Sequence, residues 1–286
     1  MPKAGKIAML IMSRGNPEKL AATILNFHGT AFSPKLIQYR VGIDDDDFET
    51  IEMVARLKGQ VDLIDDIGHG RPKALGTRIN RLAALEPADY YCVLNDDVFV
   101  LGVNWDLMIR ANGTLVAYWD LADCVFGADY PIISRKWYDA VDGKFFTECF
   151  PFWFDDRHLG DVFRIATMCK AFPILGVKLC ARKTMTKRMR DLAFWFDYYL
   201  FLEAERMAQI AKIMRRLKID DADAFLDGKD AARNKVAAAL RTIHEEHREK
   251  RPAQYARFHD PADPDPAYVA AKNEAVARMA AGWAIA

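Results

Sequence analysis

The chain has 286 residues, of which 51% are hydrophobic and 28% charged, so the sequence predicts a packed core and excludes wholesale disorder. Forty basic residues balance forty acidic ones, which argues against a dedicated nucleic-acid binder, although a local basic patch survives such averaging. The five cysteines form no CxxC pair, which argues against a zinc site and predicts a reducing, cytoplasmic location. We expect no signal peptide, and no apolar run reaches the roughly 18 residues of a membrane span.

The chain begins with the pattern of a strand, a polar loop and a helix. Residues 7–12 are continuously apolar, which predicts a buried strand. Ser13 and Arg14 interrupt that run, and Asn16 and Pro17 suit the N-cap and the first position of a helix. Apolar residues at helical spacing follow, so we expect the first helix to begin there.

The same alternation continues up to residue 94. Apolar runs at 36–43, 61–64 and 90–94 predict three more strands, and stripes of helical period at 48–55 and 75–82 lie between them. This spacing predicts an α/β fold with a Rossmann-like, mostly parallel sheet covered by helices on both faces. Right-handed crossovers would bring all four strand ends to one edge.

Polar side chains follow each of the four strands, at the edge where open α/β sheets bind their ligands. These groups are Ser13-Arg14, Asp44-Asp45-Asp46-Asp47, Asp65-Asp66 and Asn95-Asp96-Asp97. Adjacent carboxylates repel one another, and Mg²⁺ or Mn²⁺ carrying a diphosphate would relieve that repulsion. The alternative is a set of ordinary polar turns, because Asn and Asp are common turn residues. No GxGxxG follows the first strand and no Walker motif occurs, which disfavours dinucleotide dehydrogenases and P-loop enzymes.

The pattern changes after the fourth strand. A short helix is predicted at 107–111, strand-like runs at 115–118 and 124–126, a loop at 127–131 and a last strand at 174–179.

A pair of carboxylates follows the aromatic segment 149–154. A stripe of helical period at 159–166 comes next, which places Asp155 and Asp156 at or near the N-terminus of a helix. For Asp155 the alternative is a plain N-cap.

The last third of the chain has helical patterns only. We divide the chain into an α/β domain, residues 1–181, and a helical C-terminal region, residues 182–286, with a Pro/Asp linker at 260–266. Residues 182–218 carry ten Lys/Arg and four Asp/Glu. This excess indicates either a solvated helical face or a patch for an anionic acceptor, a membrane surface or nucleic acid.

About the first 180 residues resemble the A-type glycosyltransferase fold, particularly the family-two-like inverting transferases, which use nucleotide sugars. The resemblance rests on four short motifs in the family's order. They are Met-Ser-Arg-Gly-Asn-Pro at 12–17, Gly-Ile-Asp-Asp-Asp-Asp at 42–47, Asn-Asp-Asp at 95–97 in place of Asp-x-Asp, and Trp-Phe-Asp-Asp with Leu159 at 153–159 in place of Glu-Asp-x-x-Leu. The helical last third lies outside the resemblance.

The resemblance implies a set of residues that faces the nucleotide sugar. Asp44 or Asp45 would accept a hydrogen bond from the base. Arg78 would point towards the nucleotide or the diphosphate, and Asn95 would lie near the ribose. The whole set is Ser13, Arg14, Asp44, Asp45, Arg78, Asn95 and Asp96.

The resemblance also implies a metal and a catalytic base. Asp97 would ligate Mn²⁺ or Mg²⁺, with His158 or His69 as a further ligand. Asn95 replaces the family's first Asp and removes one charge from that site. Asp156, or else Asp155, would take the proton of the attacking hydroxyl.

The predicted function is therefore transfer of a sugar from a nucleoside-diphosphate sugar to an acceptor hydroxyl, metal-dependent and inverting. The acceptor stays open among a glycan, a small molecule and, through residues 182–218, nucleic acid. One alternative is a nucleotidyltransferase on a similar fold. The other is a non-catalytic nucleotide-sugar-binding protein, which the loss of charge at Asn95 would suit.

Overall fold

The computed structural model describes residues 5–68, 74–121, 130–151, 154–168, 172–179, 191–250 and 266–283. Contacts divide the chain into two compact units. The sheet unit comprises Met1–Arg71, Thr77–Phe145 and Ala171–Lys183, and the helical unit comprises Pro72–Gly76, Phe146–Lys170 and Thr184–Ala286. The domain limits of 1–181 and 182–286 stay a prediction.

Within the described residues, the sheet unit has eight strands in the order β3-β2-β1-β4-β7-β6-β8-β5. Six run in the same direction, and β5 and β7 run in the opposite one. The strands are β1 Ile7–Ser13, β2 Ile37–Asp44, β3 Leu63–Gly68, β4 Tyr90–Asn95, β5 Val98–Val100, β6 Val116–Leu121, β7 Pro131–Ser134 and β8 Phe172–Leu179. The predicted fold class is confirmed.

In the part of the chain that the structure describes, five helices accompany these strands. They are α1 Pro17–Thr30, α2 Phe48–Leu57, α3 Leu75–Ala84, α4 Trp105–Asn112 and α5 Arg135–Ala140. Five successive residues of β1, 7–11, are fully buried, which shows that this central strand is covered on both faces. Pro17 opens α1 as predicted, but the Asn16 side chain does not cap the helix.

Two strand predictions differ from the structure. The third strand runs from Leu63 to Gly68, so Asp65 and Asp66 lie inside it rather than after it. Both carboxylates are tolerated there because Lys58 lies 2.7 Å from Asp65 and Arg81 lies 2.5 Å from Asp66. The strand β7, which pairs with β4 and β6, begins at the end of the predicted loop 127–131. The strand-like run at 124–126 lies outside the described residues.

The helical unit packs around an aromatic cluster. Phe150 lies 5.7 Å from Phe154 and 6.1 Å from Trp195, between ring centroids, and further tyrosine rings complete the cluster. Its helices are α6 Asp155–Thr167, α7 Leu192–Phe201, α8 Glu203–Leu217, α9 Ala222–Leu226, α10 Ala231–Lys250 and α11 Pro266–Trp283. The linker predicted at 260–266 lies outside the described residues except for Pro266. Among the helices that the structure describes, none is long and apolar enough to cross a membrane.

A buried arginine on β2 fixes the end of α3. The Arg40 side chain is fully buried, and its guanidinium donates to the carbonyl oxygens of Leu82 and Ala83 at 3.0 and 2.9 Å. These carbonyls belong to the last turn of α3, where a cation is favoured. The Arg40 Nε also donates to Gln38 Oε1 at 2.9 Å.

We expect Arg40→Ala to lower the free energy of unfolding by about 3 kcal/mol, because it leaves buried carbonyl oxygens without donors and opens a cavity. Urea unfolding followed by circular dichroism measures the change. Arg56→Ala is the matched control, since Arg56 pairs with Glu52 on the exposed face of α2 and its loss should cost under about 0.5 kcal/mol. Equal effects of the two substitutions would contradict the role given to Arg40.

Candidate functional site

The carboxyl ends of β1, β2 and β4 lie side by side. β1 pairs in parallel with β2 on one side and β4 on the other, and Ser13, Asp44 and Asn95 end these three strands. The residues predicted to face a nucleotide sugar therefore meet at one edge of the sheet, apart from Arg78, which reaches that edge from α3. Their individual roles stay predictions.

Asp96 is anchored to the beginning of α1. Its Oδ2 accepts hydrogen bonds from Ser13 Oγ at 2.7 Å and Asn16 Nδ2 at 3.2 Å. Its backbone carbonyl accepts from Thr23 Oγ1 at 3.0 Å. The turn between β4 and β5 is thus held against the loop between β1 and α1, and Ser13 has a partner that the sequence pattern did not reveal.

Asn95 and Asp97 flank this anchored residue. Asn95 Nδ2 donates to the hydroxyl of Tyr130 at 3.0 Å, and the Asp97 side chain is buried. Sequence analysis missed Tyr130, which lies 35 residues further along the chain. The pairing of β4 with β7 brings this part of the chain close to Asn95.

Asp44 is held between two arginines. Arg14 Nη1 donates to its Oδ2, and Arg78 Nη1 donates to its Oδ1 at 2.5 Å. The Arg14 guanidinium also donates to both oxygens of Asp46, at 2.7 and 2.8 Å. Hydrogen bonds to Asp46 and Asp44 raise the pKa of Arg14 above its ordinary value, so this side chain keeps its positive charge. Asp47 caps α2 by accepting from the backbone N–H of Thr50 at 3.3 Å.

Two glycines leave room for the side chain of Arg78. A Cβ added at Gly68 on β3 would lie 2.1 Å from Arg78 Nη2, and one at Gly42 on β2 would lie 3.0 Å from Arg78 Cδ. The same Cβ at Gly42 would lie 2.7 Å from the sulfur of Met12. The sequence assigned no role to either glycine, because only the fold shows that the Arg78 side chain passes beside them.

The predicted catalytic pair lies at the beginning of α6 in the helical unit. Phe154, with φ of 78°, occupies the N-cap position, so Asp155 is the first helical residue rather than the cap. The Asp155 side chain is buried, and its Oδ1 has no hydrogen-bond partner among the described residues. Asp156 is half-buried and accepts from the backbone N–H of Arg157 at 2.8 Å.

The two carboxylates differ in their environments. Burial raises the pKa of Asp155 well above its ordinary value, the charge of Asp156 raises it further, and a hydrogen bond from the Gly76 N–H opposes both. The helix N-terminus does not offset this desolvation. Asp155 therefore retains its proton at a pH where an exposed aspartate has lost it.

His158 is buried one turn further along α6. Its Nε2 lies 2.7 Å from Gln209 Oε1, and its Nδ1 has no hydrogen-bond partner among the described residues. Burial and the charge of Arg206 lower the pKa of His158 to about 4, so its imidazole is neutral at pH 7. A neutral imidazole is the form that binds metal ions. Its predicted role as a ligand stays a prediction.

No group of three or more His, Cys, Asp or Glu side chains that could hold a metal ion occurs in the part of the chain that the structure describes. Asp97 belongs to the sheet unit and His158 to the helical unit. His69, the other histidine considered, lies outside the described residues.

Solved structures of glycosyltransferases share the fold of this chain, which confirms the resemblance in fold inferred from the sequence. Two of the solved structures that share this fold illustrate the likeness. PcManGT, a mannosyltransferase from Pyrobaculum calidifontis in complex with GDP-Man and Mn²⁺, is 11% identical, with a TM-score of 0.53 over 100% of this chain and 82% of that chain. TarS 1–349 from S. aureus in complex with UDP-GlcNAc is 12% identical, with a TM-score of 0.52 over 86% of this chain and 92% of that chain. No family model and no curated protein matches the sequence.

A pH titration tests the buried state of His158. The unfolded chain binds a proton near pH 6.5 and the folded chain only near pH 4, so stability is full above pH 6.5 and falls as the pH drops towards 4. The loss amounts to about 3 kcal/mol. We expect urea unfolding of the protein to show this loss and His158→Gln to lack it. Parallel pH profiles of the two proteins would contradict a buried, neutral imidazole.

Proposed function

We propose that the protein transfers a sugar from a nucleoside-diphosphate sugar to an acceptor hydroxyl. One observation supports this proposal: polar side chains meet at the carboxyl edge of a sheet whose fold is shared with glycosyltransferases. These side chains are Ser13, Arg14, Asp44, Arg78 and Asn95. Open α/β sheets bind their ligands at this edge. The GDP-Man of PcManGT and the UDP-GlcNAc of TarS support a nucleotide sugar as the ligand.

The sheet unit is proposed to hold the nucleotide. Two guanidinium groups offer charge-assisted hydrogen bonds to phosphoryl oxygens, which arginine binds well because of its planar set of donors. Asn95, steadied by Tyr130, has a carbonyl oxygen that can accept a hydrogen bond from a ribose hydroxyl. Asp45 is the remaining candidate to accept a hydrogen bond from the base. Ser13 and Asp96 hold the surrounding loop in place.

A divalent cation fits the oxygen atoms at this edge. Asp97 offers a carboxylate and Asn95 an amide oxygen, which are ligands that Mn²⁺ and Mg²⁺ accept, with phosphoryl oxygens completing the set. When bound, the ion would neutralise charge on the departing diphosphate. The Mn²⁺ in PcManGT supports this part of the proposal, and His158 is retained as a further candidate ligand.

Inversion would follow from attack by the acceptor hydroxyl on the face of the sugar opposite the diphosphate. The new C–O bond forms as the bond to the phosphoryl oxygen breaks, and the electron pair of that bond leaves with the diphosphate. A carboxylate takes the hydroxyl proton. Asp156 is the first candidate, because Asp155 holds its own proton more tightly.

We further propose that residues 1–181 form the transferase domain and that residues 182–286 shape the acceptor site. Acceptor sites vary with the segments outside a shared scaffold. The two free cysteines among the described residues, Cys92 and Cys149, suit the cytoplasmic location proposed from the sequence.

A melting-temperature screen with product analysis tests the function. We expect a nucleoside diphosphate with Mn²⁺ to raise the melting temperature, since a ligand that binds only the folded state stabilises it. Asp97→Asn should remove the Mn²⁺-dependent part of the shift, whereas Asp139→Asn on the exposed part of α5 should keep it. Incubation with nucleotide sugars should release a nucleoside diphosphate.

The other outcomes separate the alternatives. Release of pyrophosphate from a sugar phosphate and a nucleoside triphosphate would identify a nucleotidyltransferase instead. Binding of nucleotide sugars without any metal-dependent turnover or hydrolysis would indicate a binding protein.

Substitution of the two carboxylates on α6 tests the base. We expect Asp156→Asn to lower kcat by about 10²-fold or more, the usual contribution of a general base, while nucleotide binding is retained. Asp155→Asn should lower kcat less, because the raised pKa of Asp155 makes it the weaker candidate for a base that must start as a carboxylate. A larger loss with Asp155→Asn would assign the base to Asp155. Circular dichroism checks that both variants fold.

A further inference from the structure

The C-terminal helix α11 packs on α7 through polar contacts as well as apolar ones. Trp195 Nε1 on α7 donates to the Tyr268 hydroxyl at 3.2 Å. Lys272 Nζ lies 2.6 Å from Asp191 Oδ2, which belongs to the residue that caps α7. The position of α11 on α7 is therefore defined by side chains near its beginning and in its first half.

Arg278, towards the end of α11, joins three parts of the helical unit. Its Nη1 donates to the Tyr198 hydroxyl on α7 at 3.0 Å and to Cys149 Sγ, which precedes α6, at 3.5 Å. Its Nη2 donates to both carboxylate oxygens of Glu205 on α8, at 2.7 and 2.9 Å. Because Arg278 and Glu205 are 38% and 61% exposed, their ion pair adds little to stability. What the guanidinium does supply is a fixed geometry among its three partners.

Tyr198 connects Arg278 to the beginning of α6 through ring contacts. The Tyr198 ring lies 5.7 Å from that of Phe150, edge to face, and Phe150 lies 5.7 Å from Phe154. The other side of this contact is the Tyr199 ring, which stacks on Phe154 at 5.5 Å. Phe154 is the N-cap residue of α6, and Asp155 and Asp156 follow it directly.

The backbone of Phe154 needs this support. Its φ of 78° lies in the left-handed region, which is strained for a residue with a Cβ. Such a conformation persists where the surrounding packing enforces it, and strain of this kind is concentrated at functional sites. The packing here is the ring cluster that Arg278 and α11 complete.

We propose that Arg278 is a positioning residue for Asp156, the candidate base. By holding Tyr198 against Phe150, it keeps Phe154 in the left-handed conformation. That conformation sets the direction of the first turn of α6 and of the carboxylate on it. The inference rests on the proposed function, in which Asp156 takes the proton of the attacking hydroxyl, and it gives α11 a part in the reaction although Arg278 touches no reacting atom.

Hydrolysis of UDP-GlcNAc and GDP-Man with Mn²⁺, in which water replaces the acceptor, tests the effect on the reaction. We expect Arg278→Gln to lower kcat by about tenfold or more, because a small displacement of a reacting group is costly. KM and the affinity for UDP or GDP, measured by isothermal titration, should stay unchanged. Arg278→Lys keeps the charge without the planar set of donors and should restore part of kcat.

The matched control is Arg241→Gln in the same unit. Arg241 is 49% exposed and also pairs with carboxylates, those of Glu203 and Glu245. It should leave kcat and nucleotide affinity as they are in the wild-type protein.

Hydrogen exchange measured by mass spectrometry tests the contact without any substrate. The His158 N–H donates to the Phe154 carbonyl at 2.8 Å, so its exchange reports on the first turn of α6. We expect faster exchange in the peptide 154–160 of Arg278→Gln and no change in the peptide 231–250 of α10. Tyr198→Phe, which removes the hydroxyl but keeps the ring, guards against misfolding and should show the same two effects in smaller measure.

Each contrary result has a separate meaning. An unchanged kcat in Arg278→Gln, with or without faster exchange at 154–160, would show that Arg278 does not position the base. Faster exchange in α10 as well, or an equal loss in Arg241→Gln, would indicate general destabilisation and would also overturn the proposal. If the wild-type protein bound neither UDP nor GDP and hydrolysed neither sugar nucleotide, the proposed function itself would fail, whatever the exchange at 154–160 showed.

Discussion

Parallel pairing of β1 with both β2 and β4 is the constraint on which the candidate site depends. Because the three strands point the same way, their last residues and the loops that follow share one edge. This arrangement concentrates carboxylates at a place where backbone groups are already desolvated. The fold offsets it with partners of opposite charge or with hydroxyl and amide donors, as Arg78 does for Asp44 and Ser13 for Asp96.

Paired charges of this kind have a consequence for binding as well as for stability. A buried ion pair contributes little net stability, because desolvation opposes the attraction between its members. It does fix the position of each side chain, and a fixed cation loses less conformational entropy when a ligand arrives. Under the proposed function, the arginines around Asp44 would act as prearranged donors rather than as a source of stability for the sheet.

Periodic patterns in the sequence predicted the elements whose burial is regular. The apolar run of β1 is continuous because both faces of that strand are covered. The apolar stripe of α2 has helical period because one face of that helix is buried. The extent of β3 could not be predicted, because Asp65 and Asp66 become acceptable in a strand only once Lys58 and Arg81 are seen beside them. Local pattern carries no information about such partners.

The same limit applies to the candidate site. The strand ends and the carboxylates on α6 were found because each follows an apolar run or begins a helical stripe. Tyr130, Gly42 and Gly68 were missed, since their parts depend on contacts between β4 and β7 or between α3 and the sheet. A glycine in a strand signals a close approach, but the sequence does not say what approaches.

The helical unit handles buried charge differently, and the contrast bears on catalysis. Asp161 on α6 is ionised despite its burial, because His244 and the Tyr199 hydroxyl donate to it and lower its pKa. Burial raises the pKa of Asp155, six residues earlier on the same helix, and among the described residues the Gly76 N–H is the donor that opposes this shift. The pKa values of two aspartates on one helix are thus shifted in opposite directions by the donors around them. A protonated Asp155 repels the half-buried carboxylate of Asp156 less than a charged one would. Under the proposed mechanism, Asp155 would thereby keep Asp156 available as the base without itself taking the proton of the acceptor hydroxyl.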